Sequence, residues 1–323
     1  MTDPVTSGTQ AATGAAYVIA AEHAEVAGEQ PGKPGKPRSL WSDAWHDLRR
    51  RPLFIIATIV IAFLTFVAIF PGVFTSVDPN YRELSRALDG PSGDAWFGYD
   101  RQGQDIFARV VYGTRWSLLV GAGASLITVT IGGALGLLAG YFGGWVDGLI
   151  SRIGEVFFAL PFVLGAIVIL NSFRSAGVDS AFALVMMVMI TVSLLSWPVA
   201  MRIMRSAAIA AKQQDYVKAA RALGASPARI IMRHMLPNCL APVLVYATIL
   251  LGAFIGAEAT LSFLGIGLRY PAVSWGVMIS DARDYIRVAP HLLLFPAGLL
   301  TITVLSFVML GDAVRDALDP KLR

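Results

Sequence analysis

"WSLLVGAGASLITVTIGGALGLLAGYFGGWV", Trp116–Val146, runs for 31 residues without a charged side chain, between Arg115 and Asp147. A helix rising 1.5 Å per residue needs roughly 20 mostly apolar residues to cross the hydrocarbon of a bilayer, and this run exceeds that. Within it Gly132, Gly136, Gly140 and Gly144 recur every four positions. On a helix that spacing lines the glycines up as one groove, which a second helix backbone can approach closely. One such run also suits a buried core helix, so the rest of the chain has to decide.

Five more runs flank it. They hold 26 residues between Arg51 and Asp78, 18 between Glu155 and Arg174, and 22 between Asp179 and Arg202. Another 23 lie between His234 and Glu258, and 24 between Arg287 and Asp312. The whole chain is 55% hydrophobic and 15% charged, against about 25% charged in a typical soluble domain. The fold class is therefore an all-α integral membrane protein with six transmembrane helices. The spans are expected at about 53–75, 116–142, 153–173, 180–201, 239–262 and 291–311, with an outer loop at 78–115.

Lys and Arg set the orientation, because basic residues concentrate on the cytoplasmic side. With the N-terminus inside, the inner segments hold 17 of them and the outer segments nine. Both termini are thus expected in the cytoplasm, and the basic balance is a membrane signature with no nucleic-acid partner implied. Pro31, Pro34 and Pro37 stand among Gly and Lys, so residues 1–45 are expected to form a disordered cytoplasmic tail ahead of a membrane domain at 46–323. The single Cys239 excludes an internal disulfide and a multi-cysteine metal site, and no metal is expected.

Pro161, Pro198, Pro242 and Pro296 fall in or beside four of the spans, where each removes a backbone donor and can kink a helix. Glu258 is the one acid placed deep in a span, near its outer end. A helix-end acid bonded to a neighbour is the simpler reading, and a proton-coupling residue the sharper one.

Between spans four and five lies a polar, basic segment at 206–237. "AAIAAKQQDYVKAARAL" is rich in helix formers. Gly224 suits a left-handed residue closing that helix, Ser226 an N-cap and Pro227 the first helical position. A second short helix then carries Ala228, Ile231, Met232 and Met235 at i, i+3, i+4, i+7 and is expected to end at Leu236-Pro237. Two short helices joined by a tight turn, with Ala219, Ala220 and Ala222 keeping one surface thin, suit docking into another protein's groove. An interfacial helix lying on anionic lipid is the alternative.

"KAARALG" (Lys218–Gly224), nine residues, then "HMLP" (His234–Pro237) resembles the E-A-A-x3-G-x9-I-x-L-P motif of permease subunits of bacterial ABC importers. Ala219, Ala220, Gly224, Leu236 and Pro237 match. Lys218 stands where Glu is usual and His234 where an apolar residue is. "FGYDRQGQDIFARVVYGTR" (Phe97–Arg115), "EATLSFLGIGLRYPAVSWGVMI" (Glu258–Ile279) and "GDAVRDALDPKLR" (Gly311–Arg323) resemble the C-type permease of dipeptide and oligopeptide importers, over roughly residues 45–323. The resemblance implies a type I importer permease fold in a bacterial cytoplasmic membrane. It makes Lys218, Ala219, Ala220, Gly224, Ala225, Ser226, Pro227, Leu236 and Pro237 a coupling segment seated in a cleft of an ATPase. It also implies a homologous second permease, two ATPase domains or subunits, and an extracellular substrate-binding protein.

"GEQPGKP" (Gly28–Pro34) has three residues between its glycines where a phosphate loop needs four, and Pro where the Mg²⁺-holding hydroxyl belongs. ATP and Mg²⁺ are accordingly expected on partner chains, with no cofactor here and no enzyme activity of its own. A peptide carries donors and acceptors at every residue, so a path for it should be polar and sparingly charged. Asn171, Ser172, Thr191, Ser193 and Ser196 are the candidates. Asp100, Arg101, Asp105 and Arg109 in the outer loop are candidates for contact with a binding protein. The competing functions are importers of nickel, glutathione or opines within the same pattern, an ion-gradient-driven transporter, and a membrane scaffold without transport.

Overall fold

The computed structural model describes residues 45, 46, 48–174, 177 and 180–318; the expected tail lies almost wholly outside them. Nine helices organise the described residues: α1 (Pro52–Ile69), α2 (Ile106–Phe142), α3 (Gly144–Ala159), α4 (Phe162–Arg174) and α5 (Ala181–Lys212), followed by α6 (Asp215–Ala222), α7 (Pro227–Phe263), α8 (Trp275–Ala282) and α9 (His291–Leu318). Of these α1, α2, α5, α7 and α9 are each long and apolar enough to cross a membrane. α3 and α4 meet at 93° and pass the same test only as a pair, the geometry of a broken span or of a re-entrant loop.

That break corrects the expected continuous span at 153–173. Leu160 is extended at the end of α3, and Pro161 follows it before α4. A proline forces its preceding residue out of the helical region, and the chain turns there. The other three prolines, Pro198, Pro242 and Pro296, sit inside α5, α7 and α9.

Helix α2 is the axis of the bundle, with α5 packed along one side and α7 along another, and α9 closing on α7 and α1. A Cβ built on Gly132 would lie 2.6 Å from the Trp197 carbonyl oxygen, one on Gly140 2.6 Å from the Ala208 Cβ, and one on Gly136 would overlap the Met201 carbonyl oxygen. The four-residue glycine groove is therefore filled by α5, backbone against backbone. Gly144 is not part of it. Gly143 and Gly144 have positive φ, +67° and +54°, and make the turn from α2 into α3, a conformation an L side chain resists. Hydroxyls stitch the same axis: Ser193 Oγ of α5 donates to the Ala124 carbonyl, and Ser125 Oγ of α2 to the Ala247 carbonyl of α7, each at 3.0 Å. In a bilayer such interhelical bonds contribute about 0.6–2 kcal/mol each.

α1 stops at Ile69, short of the expected 75, where Pro71 begins a 3-10 turn, whereas α2, α5 and α9 overrun their expected spans. α2 starts at Ile106, ten residues before the expected 116, because Asp105 caps it by accepting from the Ala108 N–H at 3.0 Å. At 37 residues it is about 55 Å long. α5 runs on to Lys212 and α9 to Leu318. The outer loop is shifted towards the N-terminus, to 70–105, and is structured, with 3-10 turns at Pro71–Val73 and Leu84–Arg86 and a bridge between Tyr99 and Asp105. Phe97 stacks on Phe295 of α9 at 3.9 Å between ring centroids and fixes the loop over the bundle end.

Candidate functional site

Between α5 and α7 the chain makes a compact hairpin. α5 ends at Lys212, Gln213 and Gln214 break the helix, and α6 occupies Asp215–Ala222; the single helix expected across 207–223 is thus two. Propensity missed the break because none of these residues opposes a helix. The turn follows the sequence pattern closely. Gly224 has φ +77°, the Ala225 N–H reaches back to the Ala220 carbonyl at 3.0 Å, and Ser226 Oγ accepts from the Arg229 N–H.

Beyond the turn the structure differs from expectation. The helix does not end at Leu236-Pro237. Within α7, residues Ile230–Met235 form a π-turn in which the Leu236 N–H bonds the Ile231 carbonyl, and the helix continues to Phe263. Pro237 has no N–H to give the preceding turn, and Asn238 Nδ2 supplies a donor there by bonding the His234 carbonyl at 2.7 Å. The π-turn also moves the apolar face. Ile230, Ile231 and Met235 are buried, whereas Ala228 is exposed and Met232 is 63% exposed.

Ala220 is 8% exposed and packs with Val217, Ile230, Ile231 and Met235 on the chain's own bundle; Ala225 is half-buried beside it. The outward surface includes Lys218, Ala219, Arg221, Ala222, Leu223, Gly224, Ser226 and Pro227. Leu236 is half-buried and Pro237 exposed at the start of α7 proper. Lys218 Nζ meets Asp215 at 3.1 Å, an exposed pair of little energetic weight. Leu223, absent from the sequence candidates, is 88% exposed at the tip. Its signal was a leucine immediately before a turn glycine. Tyr216 lies on the same helix, and burial pushes its phenol above the ordinary value.

Two polar links brace the hairpin from behind. Arg205 on α5 gives both Nε and Nη2 to Asp147 on α3, each at 2.5 Å, a bidentate geometry that fixes direction as well as distance. Lys212 Nζ donates to the Tyr141 carbonyl at 2.6 Å, satisfying one of the orphan acceptors at the end of α2. Neither link was readable in the sequence, since each pairs residues more than fifty positions apart.

The outer-loop candidates turn inward. Asp100 and Arg109 are buried and paired with each other, and Asp100 Oδ1 also accepts the backbone N–H of Gln102 and of Gln104 at 2.8 and 2.9 Å. Asp105 is the buried cap of α2. Asp100 and Asp105 are spent on holding the loop together, so the expected contact with a binding protein is not available to them; Arg109 pairs with Asp100 but keeps its Nε without a partner among the described residues. Arg101 remains partly exposed and reaches Asp281 on α8 at 3.1 Å.

The path candidates separate as well. Thr191 and Ser193 are buried, their hydroxyls bonded to the Met187 and Ala124 carbonyls. In an apolar core a hydroxyl takes a backbone partner, and these two line no open path. Ser196 is half-buried; Asn171 and Ser172 are exposed near the end of α4.

Glu258 is fully buried. Its Oε1 accepts from Ser262 Oγ at 2.7 Å and from Ser274 Oγ at 2.8 Å, joining the end of α7 to the loop before α8, which matches the simpler reading of a helix-end acid bonded to neighbours. Glu258→Gln keeps an oxygen for both hydroxyls and is expected to fold near normally. Glu258→Ala strands them and is expected to cost about 2–4 kcal/mol. Thermal unfolding of the detergent-solubilised protein checks this, and equal losses in both variants would contradict it.

Comparison with known proteins follows the same lines. The family model described as the binding-protein-dependent transport system inner membrane component matches residues 132–323, and the N-terminal TM domain of oligopeptide transport permease C matches residues 39–91. The dipeptide transport system permease protein DppC of Alkalihalophilus pseudofirmus is 40% identical over 285 residues, 88% of this chain and 91% of that protein. The glutathione transport system permease protein GsiD of Escherichia coli is 40% identical over 292 residues, 90% and 94% of the two chains. Among solved structures, an inward-facing form of the MetNI methionine ABC transporter aligns with a TM-score of 0.53 at 21% identity, covering 65% of this chain and 96% of that one. At that identity the likeness speaks for the fold alone.

Proposed function

The chain belongs to the family of binding-protein-dependent transport system inner membrane components, and from that premise we infer that it forms half of the translocation path of an ATP-driven importer of di- or oligopeptides. The observation that carries the coupling role is the hairpin at 215–235. A helix ends in a left-handed glycine beneath an exposed leucine, and the chain returns without interruption into a membrane-spanning helix. A force applied at Leu223 therefore has a stiff route into α7, while the buried side of α6, through Val217 and Ala220, transmits it to α5 and α2. Switching by rigid parts needs such stiff connections between packed elements.

The remaining parts follow from this assignment. ATP and Mg²⁺ belong to two ATPase domains or subunits, the other half of the path to a homologous permease, and substrate capture to an extracellular binding protein. The chain sits in the bacterial cytoplasmic membrane with both termini inside. The match to a glutathione permease supports a second reading within the class, a glutathione importer, since glutathione is itself a small peptide. Importers of nickel or opines are further members of the class. An ion-gradient-driven transporter is disfavoured by the match to binding-protein-dependent transport components over residues 132–323.

Reconstitution decides between these. Proteoliposomes holding both permeases and the ATPases, supplied with the binding protein, are expected to accumulate labelled dipeptide only with ATP. Uptake that follows a proton or sodium gradient without ATP would overturn the assignment. A label at Gln213 should react from the cytoplasmic side and one at Ser92 from the outside; the reverse would overturn the topology.

A further inference from the structure

A cavity of about 300 Å³ lies between the outer loop, the end of α7 and α8. Arg82, Arg101, Arg109 and Arg269 line it, with Asp281 as the acid on its wall. We propose that this cavity is a carboxylate-binding site, with Arg109 at its floor and Arg82 and Arg269 at its rim.

Arg109 distinguishes the cavity from a charged surface. It is 6% exposed, its Nη1 pairs with Asp100, its Nη2 stands 3.6 Å from Asp281, and its Nε has no hydrogen-bond partner among the described residues. A guanidinium cannot shed its charge, and a buried donor left unmade is costly. Its presence here indicates a site kept for an acceptor that arrives from outside. Arg82 and Arg269 are exposed, and the Arg82 guanidinium rests over the Tyr270 ring at 5.8 Å, which holds it at the entrance.

Charge selects the ligand. Four arginines on the wall face Asp281, with Asp100 behind Arg109 and Glu258 behind Ser262. The balance stays positive even when all three acids are ionised, by about one charge. That suits a single carboxylate better than a phosphate of about −2, and the flat guanidinium fork matches a carboxylate in shape. A cavity of this size sits at the small end of ligand pockets, enough for a terminal group on a narrow stem. Two sources share that chemistry, the free C-terminus of a peptide and an acidic side chain of the binding protein; choosing between them rests on the importer reading, whereas the site itself does not.

The test uses the assembled complex in nanodiscs and 13C-labelled N-acetylglycine, read by saturation-transfer NMR. N-acetylglycine is expected to bind, its uncharged amide N-acetylglycinamide not to bind, and the double variant Arg82→Gln/Arg269→Gln to weaken binding about tenfold or more. Equal signals for acid and amide, or equal affinity in the double variant, overturn the proposal. Displacement by the binding protein assigns the carboxylate to that protein. Displacement by a free-acid peptide but not by its C-terminal amide assigns it to the substrate, and displacement by neither overturns a role in transport. ATP-driven uptake measured in parallel keeps the two readings apart. Uptake without N-acetylglycine binding sinks the cavity alone, and binding without ATP-driven uptake sinks the importer.

Discussion

Gly136→Val is expected to leave no folded protein after detergent extraction, and Gly136→Ala to lower stability by about 1–3 kcal/mol or more. A Cβ at this position overlaps the Met201 carbonyl oxygen and lies 2.9 Å from the Met204 Cβ and 3.0 Å from the Arg205 N. Two of those three neighbours are backbone, which no rotamer change removes. Relief requires α5 to retreat from α2, and the retreat would open the contacts at Gly132 and Gly140 as well, since all three share one seam. Gly148→Ala provides the control. It lies in α3, a Cβ there meets nothing within 4 Å, and alanine favours the helix by about 1 kcal/mol. Size-exclusion profiles and thermal unfolding of the three variants check the prediction; similar behaviour of Gly136→Ala and Gly148→Ala would refute the seam.

At the hairpin, Leu223→Asp is expected to cut ATP-driven uptake about tenfold or more while the protein still assembles in the membrane. A leucine that becomes fully buried on docking contributes about 1.5–3 kcal/mol, and aspartate replaces that gain with a desolvation cost. Leu223 is 88% exposed, so the isolated bundle loses nothing. Gly224→Val acts differently. A Cβ there meets nothing within 4 Å, yet φ is +77°, so the cost is conformational, about 1–2 kcal/mol, and it misdirects the turn. Ala220→Glu is the wrong probe for docking, because Ala220 faces the chain's own bundle and the variant would damage folding. Uptake, ATPase co-purification and expression measured together separate the cases. Unimpaired uptake in both Leu223→Asp and Gly224→Val would leave the hairpin as an interfacial helix.

How much of this was legible depends on the range of the interaction. The five long apolar helices follow from runs of uncharged residues, and the turn at Gly224 and Ser226 from local backbone chemistry, so both are readable along the chain. Gly132, Gly136 and Gly140 revealed a groove, but the partner that fills it lies some sixty residues on, and spacing alone does not name α5. Gly144 shows the limit of a periodic pattern. It keeps the four-residue beat, yet its role is a turn, which depends on φ. Asp100 and Arg109 read as candidates for contact with a binding protein because alternating charges at a surface and a folded ion pair have the same sequence. Pro237 misled in the opposite sense. A proline after a leucine reads as a helix end, but the π-turn before it changes which carbonyls expect a donor, and the helix runs through.

The seam between α2 and α5 has a consequence in time. Met201 emerges from the ribosome 65 residues after Gly136, which at about 5–20 residues per second is an interval of about 3–13 seconds. Throughout that interval α2 is complete but its glycine groove has only lipid tails in it, and a groove made for close approach accepts any small-faced helix that drifts past. The broken pair α3 and α4, inserted in between, keeps α5 on a short tether of the same chain, so the intended helix reaches the groove at a local concentration that no neighbouring protein matches. The order in which the spans are made thus guards the seam before its own packing does.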